Sequence, residues 1–228
     1  MIVLNADEEE WILNTHFDAA IPIHVEDFCG SVKVFAFPSV EKCVREYLDC
    51  HRNDLFSDAA LDALRAGCRD FCKTNGYHEE KYPKNWGYNL ILESPPHLTE
   101  PNGAVCKRLL SPRALKNLTT FNLKETLDSG RVVFAVIVDE QVVSVAVTAE
   151  ALSEADQWME ISIESAPAYR NKGYAKLAVG ALSSFLIKNG HAVLFKCHHT
   201  NLASRQVALD CGFTDAGKFY YYVLRKDN

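Results

Sequence analysis

From residue 167 to residue 175 the chain reads Pro-Ala-Tyr-Arg-Asn-Lys-Gly-Tyr-Ala, and here its residue types and spacing best suit chemistry. A strand is expected to end just before Pro167 and a helix to begin near Tyr174, with Gly173 the only glycine in the junction. The first turn of any helix leaves amide N–H groups without an intrahelical acceptor, at the positive end of the helix dipole. Such a turn is a seat for a pyrophosphate. Arg170 and Lys172 add positive charge beside it. Other residues of chemical interest are fewer. His198 and His199 fall near the end of one expected strand, and Tyr220, Tyr221 and Tyr222 lie on the last. The eight cysteines include no Cys-x-x-Cys pair, and Cys68 and Cys72 sit four apart beside Leu64 and Phe71. That is a packing arrangement, so no metal site is expected.

The elements that must hold these residues follow from periodicity. Arg131–Val138 and Gln141–Thr148 are β-rich runs joined by Asp139-Glu140, a hairpin signal. Trp158–Ser165 alternates, with Ile161 and Ile163 on one face and Glu160, Ser162 and Glu164 on the other. A helix is expected over 174–188, with Ala178, Leu182, Phe185 and Leu186 on one side and Lys188-Asn189-Gly190 as its stop. Ala192–Cys197 reads as a strand, Leu202–Cys211 as a short helix and Lys218–Arg225 as a last strand. Ser111-Pro112 has the cap-then-proline order of a helix start, with Leu115 and Leu118 inward. Nearer the N-terminus, Val32–Phe37 reads as extended. Ser39 is the expected cap of a helix carrying Val40, Cys43, Val44, Tyr47 and Leu48. A second helix is expected from Ser57 or Asp58 to Asn75-Gly76, followed by a loop over 77–88. The strongest linker signal is Ser94–Gly103, which divides the chain into an N-terminal α/β region, 1–100, and a second domain, 101–228. The fold class expected is α+β: a mixed sheet flanked by helices, with the N-terminal region as an extension.

Composition narrows the function classes. An apolar fraction of 48% and a charged fraction of 24% are ordinary for a globular protein. No apolar run is long enough to span a bilayer, and the acidic start Asp7–Glu10 is unlike a secretory signal. A cytoplasmic protein with reduced thiols and no membrane partner is therefore expected. Acids outnumber Lys and Arg two to one in residues 1–100, whereas 101–228 carries a small basic excess. The acidic half argues against nucleic acid and is compatible with a cationic acceptor, although a solvated acidic surface explains it equally simply.

Two stretches resemble the GNAT superfamily of N-acetyltransferases. Arg170, Gly173 and Ala175 occupy the defining places of its acetyl-CoA signature, Arg/Gln-x-x-Gly-x-Gly/Ala, and Pro167–Arg170 is similar to its usual lead-in. One helix and one strand later, Asn201-Leu-Ala-Ser-Arg-Gln-Val-Ala-Leu-Asp-Cys-Gly-Phe213 resembles the family's second motif, in which Asn opens a helix and Gly-Phe closes it. The resemblance spans roughly residues 104–225, and Ser162–Phe213 also resembles the zwittermicin-resistance-type branch.

The resemblance implies a GNAT-like sheet and acetyl-CoA as co-substrate. It implies that Arg170, Asn171, Lys172, Gly173, Tyr174 and Ala175 hold the CoA pyrophosphate, and that Ser165 and Ala166 bond the pantetheine arm. Asn201 and Ser204 would face the cofactor, though helix capping explains either equally well. It also implies direct attack of an amine on the thioester. A lysine-like amine, with a reference pKa of about 10.4, is neutral in only about one molecule in a few thousand at pH 7, so a base is useful. Glu160, on the strand that borders the acetyl group in the family, is the first choice. Many members carry a tyrosine as general acid seven residues after the motif asparagine. That position is Ala208 here, so Tyr221 on the last strand is the substitute considered, with His198 and His199 as other options. The acceptor expected is a small-molecule amine, acted on by a monomer or homodimer. A protein or peptide acceptor and a catalytically silent acyl-CoA-binding module stay open as alternatives.

Overall fold

A computed structural model describes residues 2–4, 19–79, 85–96, 103–111, 115–153, 155 and 157–226. The chain forms two compact units, one of residues 1–88 with 216–228 and the other of residues 89–215. Both crossings fall inside strands: β5 (Trp86–Leu92) and β12 (Thr214–Lys226). The Ser94–Gly103 stretch, where composition placed the division, lies within the second unit, and its residues 97–102 are outside those described.

In the first unit β2 (Ala19–Phe28) and β3 (Ser31–Ala36) form an antiparallel hairpin. Cys29 and Gly30 turn it with φ of 51° and 76°, the left-handed pair that matches the twist of two strands. Strand β1 (Ile2–Leu4) runs parallel to β3, and β12 pairs antiparallel with β2 and with β4 (Tyr77–Glu79). Against this sheet pack α1 (Glu41–Cys50), α2 (Asp58–Gly67) and α3 (Arg69–Asn75), and Val44, Tyr47, Leu61 and Leu64 join Ile23, Val25, Val34, Tyr220 and Tyr222 in one core.

Several expectations need correction here. Ser39 lies in a 3₁₀ turn, Pro38–Val40, and Val40 rather than Ser39 precedes α1. Ser57 does cap α2, accepting from the Ala60 amide at 3.1 Å. The long second helix is two, broken at Cys68 (φ −91°, ψ 0°), a residue fully buried against Cys43. The stretch read as a loop contains β4 and the start of β5.

In the second unit β6 (Val105–Leu109), β8 (Arg131–Val138), β9 (Gln141–Ala151), β10 (Trp158–Ser165) and β11 (Ala192–His198) lie side by side in that order. All neighbouring pairs are antiparallel except β10 with β11, so the sheet is mixed. Asp139 and Glu140 turn the β8–β9 hairpin at φ of 48° and 60°. Helix α4 (Leu123–Asp128) and helix α5 (Tyr174–Lys188) pack on the sheet, and α6 (Leu202–Asp210) packs on α5 and β11. Helix α5 buries Leu177, Leu182 and Leu186 and ends where His191 N donates to Leu186 O, with Gly190 in the left-handed conformation. The helix expected to follow Ser111 is absent over 115–118, its first turn lying outside the described residues. Instead β7 (Lys116–Asn117) runs parallel to β9, and the next helix is α4, capped by Asn122. No helix among the described residues is long and apolar enough to cross a membrane.

Candidate functional site

The site starts where two strands separate. The pairing of β10 with β11 stops at Ile161↔Phe195, yet β10 continues to Ser165 and β11 to His198. On its other edge β10 stays paired to β9 as far as Ser165↔Ser144. Ser165 Oγ lies 2.7 Å from Ser144 Oγ, and the Ala166 amide donates to Val143 O at 2.9 Å. The strand end is therefore fixed on one side and open on the other.

A 3₁₀ turn, Pro167–Tyr169, carries the chain into the loop, and Arg170 Nε donates to Ser165 O at 3.2 Å. Asn171 (φ 60°) and Gly173 (φ 82°) are both left-handed, a conformation that costs an ordinary L-residue roughly 1–2 kcal/mol. Gly173 precedes α5 without any side-chain cap, and no acid stands in the first turn. The earliest α5 amide with a backbone acceptor is Leu177, donating to Gly173 O at 3.1 Å. Among the described residues no acceptor takes the amides of residues 171–176. Lys172 Nζ sits over the Tyr169 ring at 4.9 Å. The result is an electropositive concavity built mainly from the main chain.

These amides open into a cavity of about 660 Å³. Its walls are the end of β10 (Ile163, Glu164, Ser165), the loop and first turn of α5, and one face of α6. Of the residues expected to hold the cofactor, Ser165, Arg170, Asn171, Gly173, Tyr174, Ala175, Asn201 and Ser204 line it, while Ala166 and Lys172 do not. Asn201 acts as the N-cap of α6, its Oδ1 accepting from the Ser204 amide at 3.1 Å. The wall also holds Ala203, Gln206, Val207 and Asp210. The helical spacing from Asn201 was the available signal for them. Asp210 bonds Gln206 Nε2 at 2.6 Å and Lys176 Nζ at 3.1 Å, and these two donors hold its carboxyl below the usual carboxylate range.

The end of the second motif is structural. The Cys211 thiol donates to Lys176 O at 3.6 Å and so ties α6 to the first turn of α5, and burial pushes its pKa up to about 11. Gly212 turns the chain at φ 89°, and buried Phe213 meets Phe195 edge-on. Ala208 is fully buried and accepts from the Phe213 amide, so packing occupies the position where the family often has a tyrosine.

Neither of the two proposed proton carriers is among the residues of this wall. Glu160, opposite Leu194, is half-buried and forms an ion pair with Lys196 Nζ at 3.8 Å. Tyr221 belongs to the first unit, stacked on His24 with ring centroids 4.3 Å apart; Tyr220 and Tyr222 point into the core and only Tyr221 keeps partial exposure. His198 Nδ1 is 2.8 Å from Thr200 Oγ1. Of the two acids on this face of β10, the one that does line the cavity is Glu164, and both its oxygens accept from Thr120. Nothing local in the sequence announces a contact between residues 44 positions apart.

Comparison with known proteins agrees with this geometry. The family model described as the acetyltransferase (GNAT) domain matches residues 98–214, a little over half of the chain. No curated protein sequence gives a significant match. Among solved structures, one assigned as a GNAT-family acetyltransferase from Novosphingobium aromaticivorans superposes with a TM-score of 0.50 at 14% identity, over 67% of this chain and 69% of its own. A GNAT-family acetyltransferase from Colwellia psychrerythraea covers 83% of this chain and 76% of its own (TM-score 0.48, 12% identity). A GCN5-related N-acetyltransferase from Sphaerobacter thermophilus covers 91% and 75% (TM-score 0.48, 11% identity). At 14% identity the first of these speaks for the fold alone, and the narrower zwittermicin-resistance-type resemblance finds no support among the matches. The family model encloses the splayed strands, the amide-lined loop and the second helix together, and the chain belongs to the GNAT family of acetyltransferases and is an acyltransferase.

Proposed function

We propose that this enzyme transfers an acetyl group from acetyl-CoA, the family's donor, to the amine of a small molecule by direct attack on the thioester. The observation that carries the reading is the run of amides at residues 171–176, without acceptors among the described residues, opening into a cavity. The residues present fit the donor. Its pyrophosphate matches N–H groups on a helix N-terminus with Arg170 and Lys172 nearby. Its pantetheine arm, rich in amides, matches the unpaired edge of β10 beyond Ile161, with Ser165 and the buried methyl of Ala166 at the strand end. Asn201 and Ser204 flank the opposite side from α6. The cavity volume falls within the roughly 300–1,000 Å³ of small-ligand sites.

In this mechanism Glu160 receives the proton of the attacking amine through water. The departing group is a thiol, which a proton donor would assist. That thiol, with an ordinary pKa near a cysteine's roughly 8.5, needs such help less than the amine needs a base. Main-chain N–H groups on the splayed edge would stabilise the oxyanion, and holding both substrates in one cleft supplies proximity.

The test has two arms. Acetyl-CoA binding is followed by calorimetry, and thiol release is followed with aminoglycosides, polyamines, amino acids and peptides as acceptors. Release with a small amine is expected. Release with peptides alone would shift the acceptor to protein, and binding without any release would leave a silent module. Gly173→Val, which puts a branched side chain on the left-handed residue beside the amides, should weaken acetyl-CoA at least about tenfold with the circular dichroism unchanged. Unaltered affinity would sink the assignment.

A further inference from the structure

Glu164 poses a problem of charge. It lines a cavity whose proposed donor is a polyanion, and among the described residues no cationic side chain forms an ion pair with it. The other acid in the wall, Asp210, is answered by Lys176 at 3.1 Å. Arg170, the nearest cation in sequence, spends its Nε on Ser165 O.

Neutral dipoles hold Glu164 instead. The Thr120 amide lies 3.0 Å from both carboxylate oxygens and the Thr120 hydroxyl donates to Oε2 at 2.8 Å. The loop that supplies them is braced from within. Asn117 Oδ1 accepts from Thr119 N at 3.0 Å and Thr119 Oγ1 at 2.9 Å, and Asn117 Nδ2 donates to Phe121 O at 2.8 Å. Phe121 in turn packs on the core of this unit. The carboxylate is thus fixed before any ligand arrives, and about four lone-pair positions for three donor contacts leave it able to accept another bond.

We propose that Glu164 receives a second positive charge on the acceptor, so that the acceptor class is a di- or polyamine rather than a monoamine. This rests on the acetyl-transfer reading above. The donor's thioester and pantetheine arm are uncharged and its phosphates would be repelled, which leaves the acceptor as the ligand that brings a cation. That cation is not the reacting nitrogen. An amine in contact with a carboxylate is held protonated, whereas the attacking amine must lose its proton. Glu160, four residues earlier on the same face and roughly 13 Å away along the strand, takes that proton through water rather than by direct contact, and Glu164 anchors another nitrogen of the same molecule. Thr120 is a positioning residue for it.

The experiment compares 1,4-diaminobutane with 1-aminobutane, and spermidine with 1-aminoheptane, by thiol release, in native enzyme, Glu164→Gln and Thr120→Val. Glutamine keeps an oxygen for the Thr120 donors and removes the charge. The expected result is at least about a tenfold preference for the diamine in native kcat/KM. In Glu164→Gln the diamine KM should rise about 10- to 100-fold, the preference for diamine over monoamine should collapse, and acetyl-CoA affinity by calorimetry should not weaken. Thr120→Val should raise the diamine KM less. A native enzyme that treats each pair alike, or releases no thiol with any of the four amines while binding acetyl-CoA, overturns the proposal. So does a Glu164→Gln enzyme with an unchanged diamine KM. Failure of native enzyme to bind acetyl-CoA would be a different result, sinking the acetyl-transfer reading itself.

Discussion

Glu160, the proposed proton acceptor, is half-buried with Lys196 Nζ at 3.8 Å. Replacing it with glutamine should lower kcat by about 100-fold, within the range of general base catalysis, and flatten the acid limb of the pH–rate curve. Acetyl-CoA affinity should hold. An unaltered pH profile would remove Glu160 from the role. Cys211 makes a separate prediction about stability. Burial lifts its pKa from 9.0 to about 11, so its contribution is fully present at neutral pH. The unfolded thiol ionises first, and stability should fall as pH rises from about 9 to about 11, by on the order of 2–3 kcal/mol. Urea unfolding at pH 8 and pH 10.5 checks this, with Cys211→Ala expected to lose that alkaline slope. At this scale the phosphate-seat residues were legible, because their roles depend on main-chain geometry that a glycine and a helix start betray. Glu164 was visible only as one of two acids on a strand face, since the loop that gives it meaning lies 44 residues away.

Among the elements, those specified by local signals appear where periodicity put them. The hairpin at Asp139-Glu140, the strand Trp158–Ser165 and the helix Tyr174–Lys188 match to the residue or nearly so. Misreadings occur where distant packing decides. The α2–α3 break at Cys68 sits in a continuous apolar rhythm and coincides with its contact to Cys43 Sγ at 3.5 Å. Lys116–Asn117 joins β9 as a strand although Ser111-Pro112 has the grammar of a helix start. Strand β12 begins four residues earlier than expected because Gly217 allows a close approach. A Cβ there would collide with Asp27 O, and φ stands at 129°. Gly217→Ala combines a backbone clash with a strained conformation, and should cost about 2–4 kcal/mol. A denaturation midpoint within error of the native one would show that β12 and β2 can separate freely at that point.

For the molecule as a whole, composition suggested a cut between residues 100 and 101, whereas the compact units divide at 88/89 and 215/216. A polar, proline-rich composition does not say which core the flanking strands join. All the cavity-lining residues fall within 89–215. Hydrogen exchange with acetyl-CoA should therefore slow amides in 163–176 and 201–210 and leave those of β2 and β3 at their original rates. Equal protection in β2 and β3 would place the donor elsewhere.

The way β12 closes the first unit bears on the order in which the protein is made. Helices α1–α3 and the β2–β3 hairpin leave the ribosome early, but the strand that contributes Tyr220, Tyr222 and Leu224 to their core is translated only after residue 215. The first unit must wait, with apolar surface uncovered, while everything needed for the second has already emerged. Vectorial synthesis usually favours the leading part of a chain; here residues 89–215 are all synthesised while the core built on β2, β3 and α1–α3 still lacks the strand that fills it.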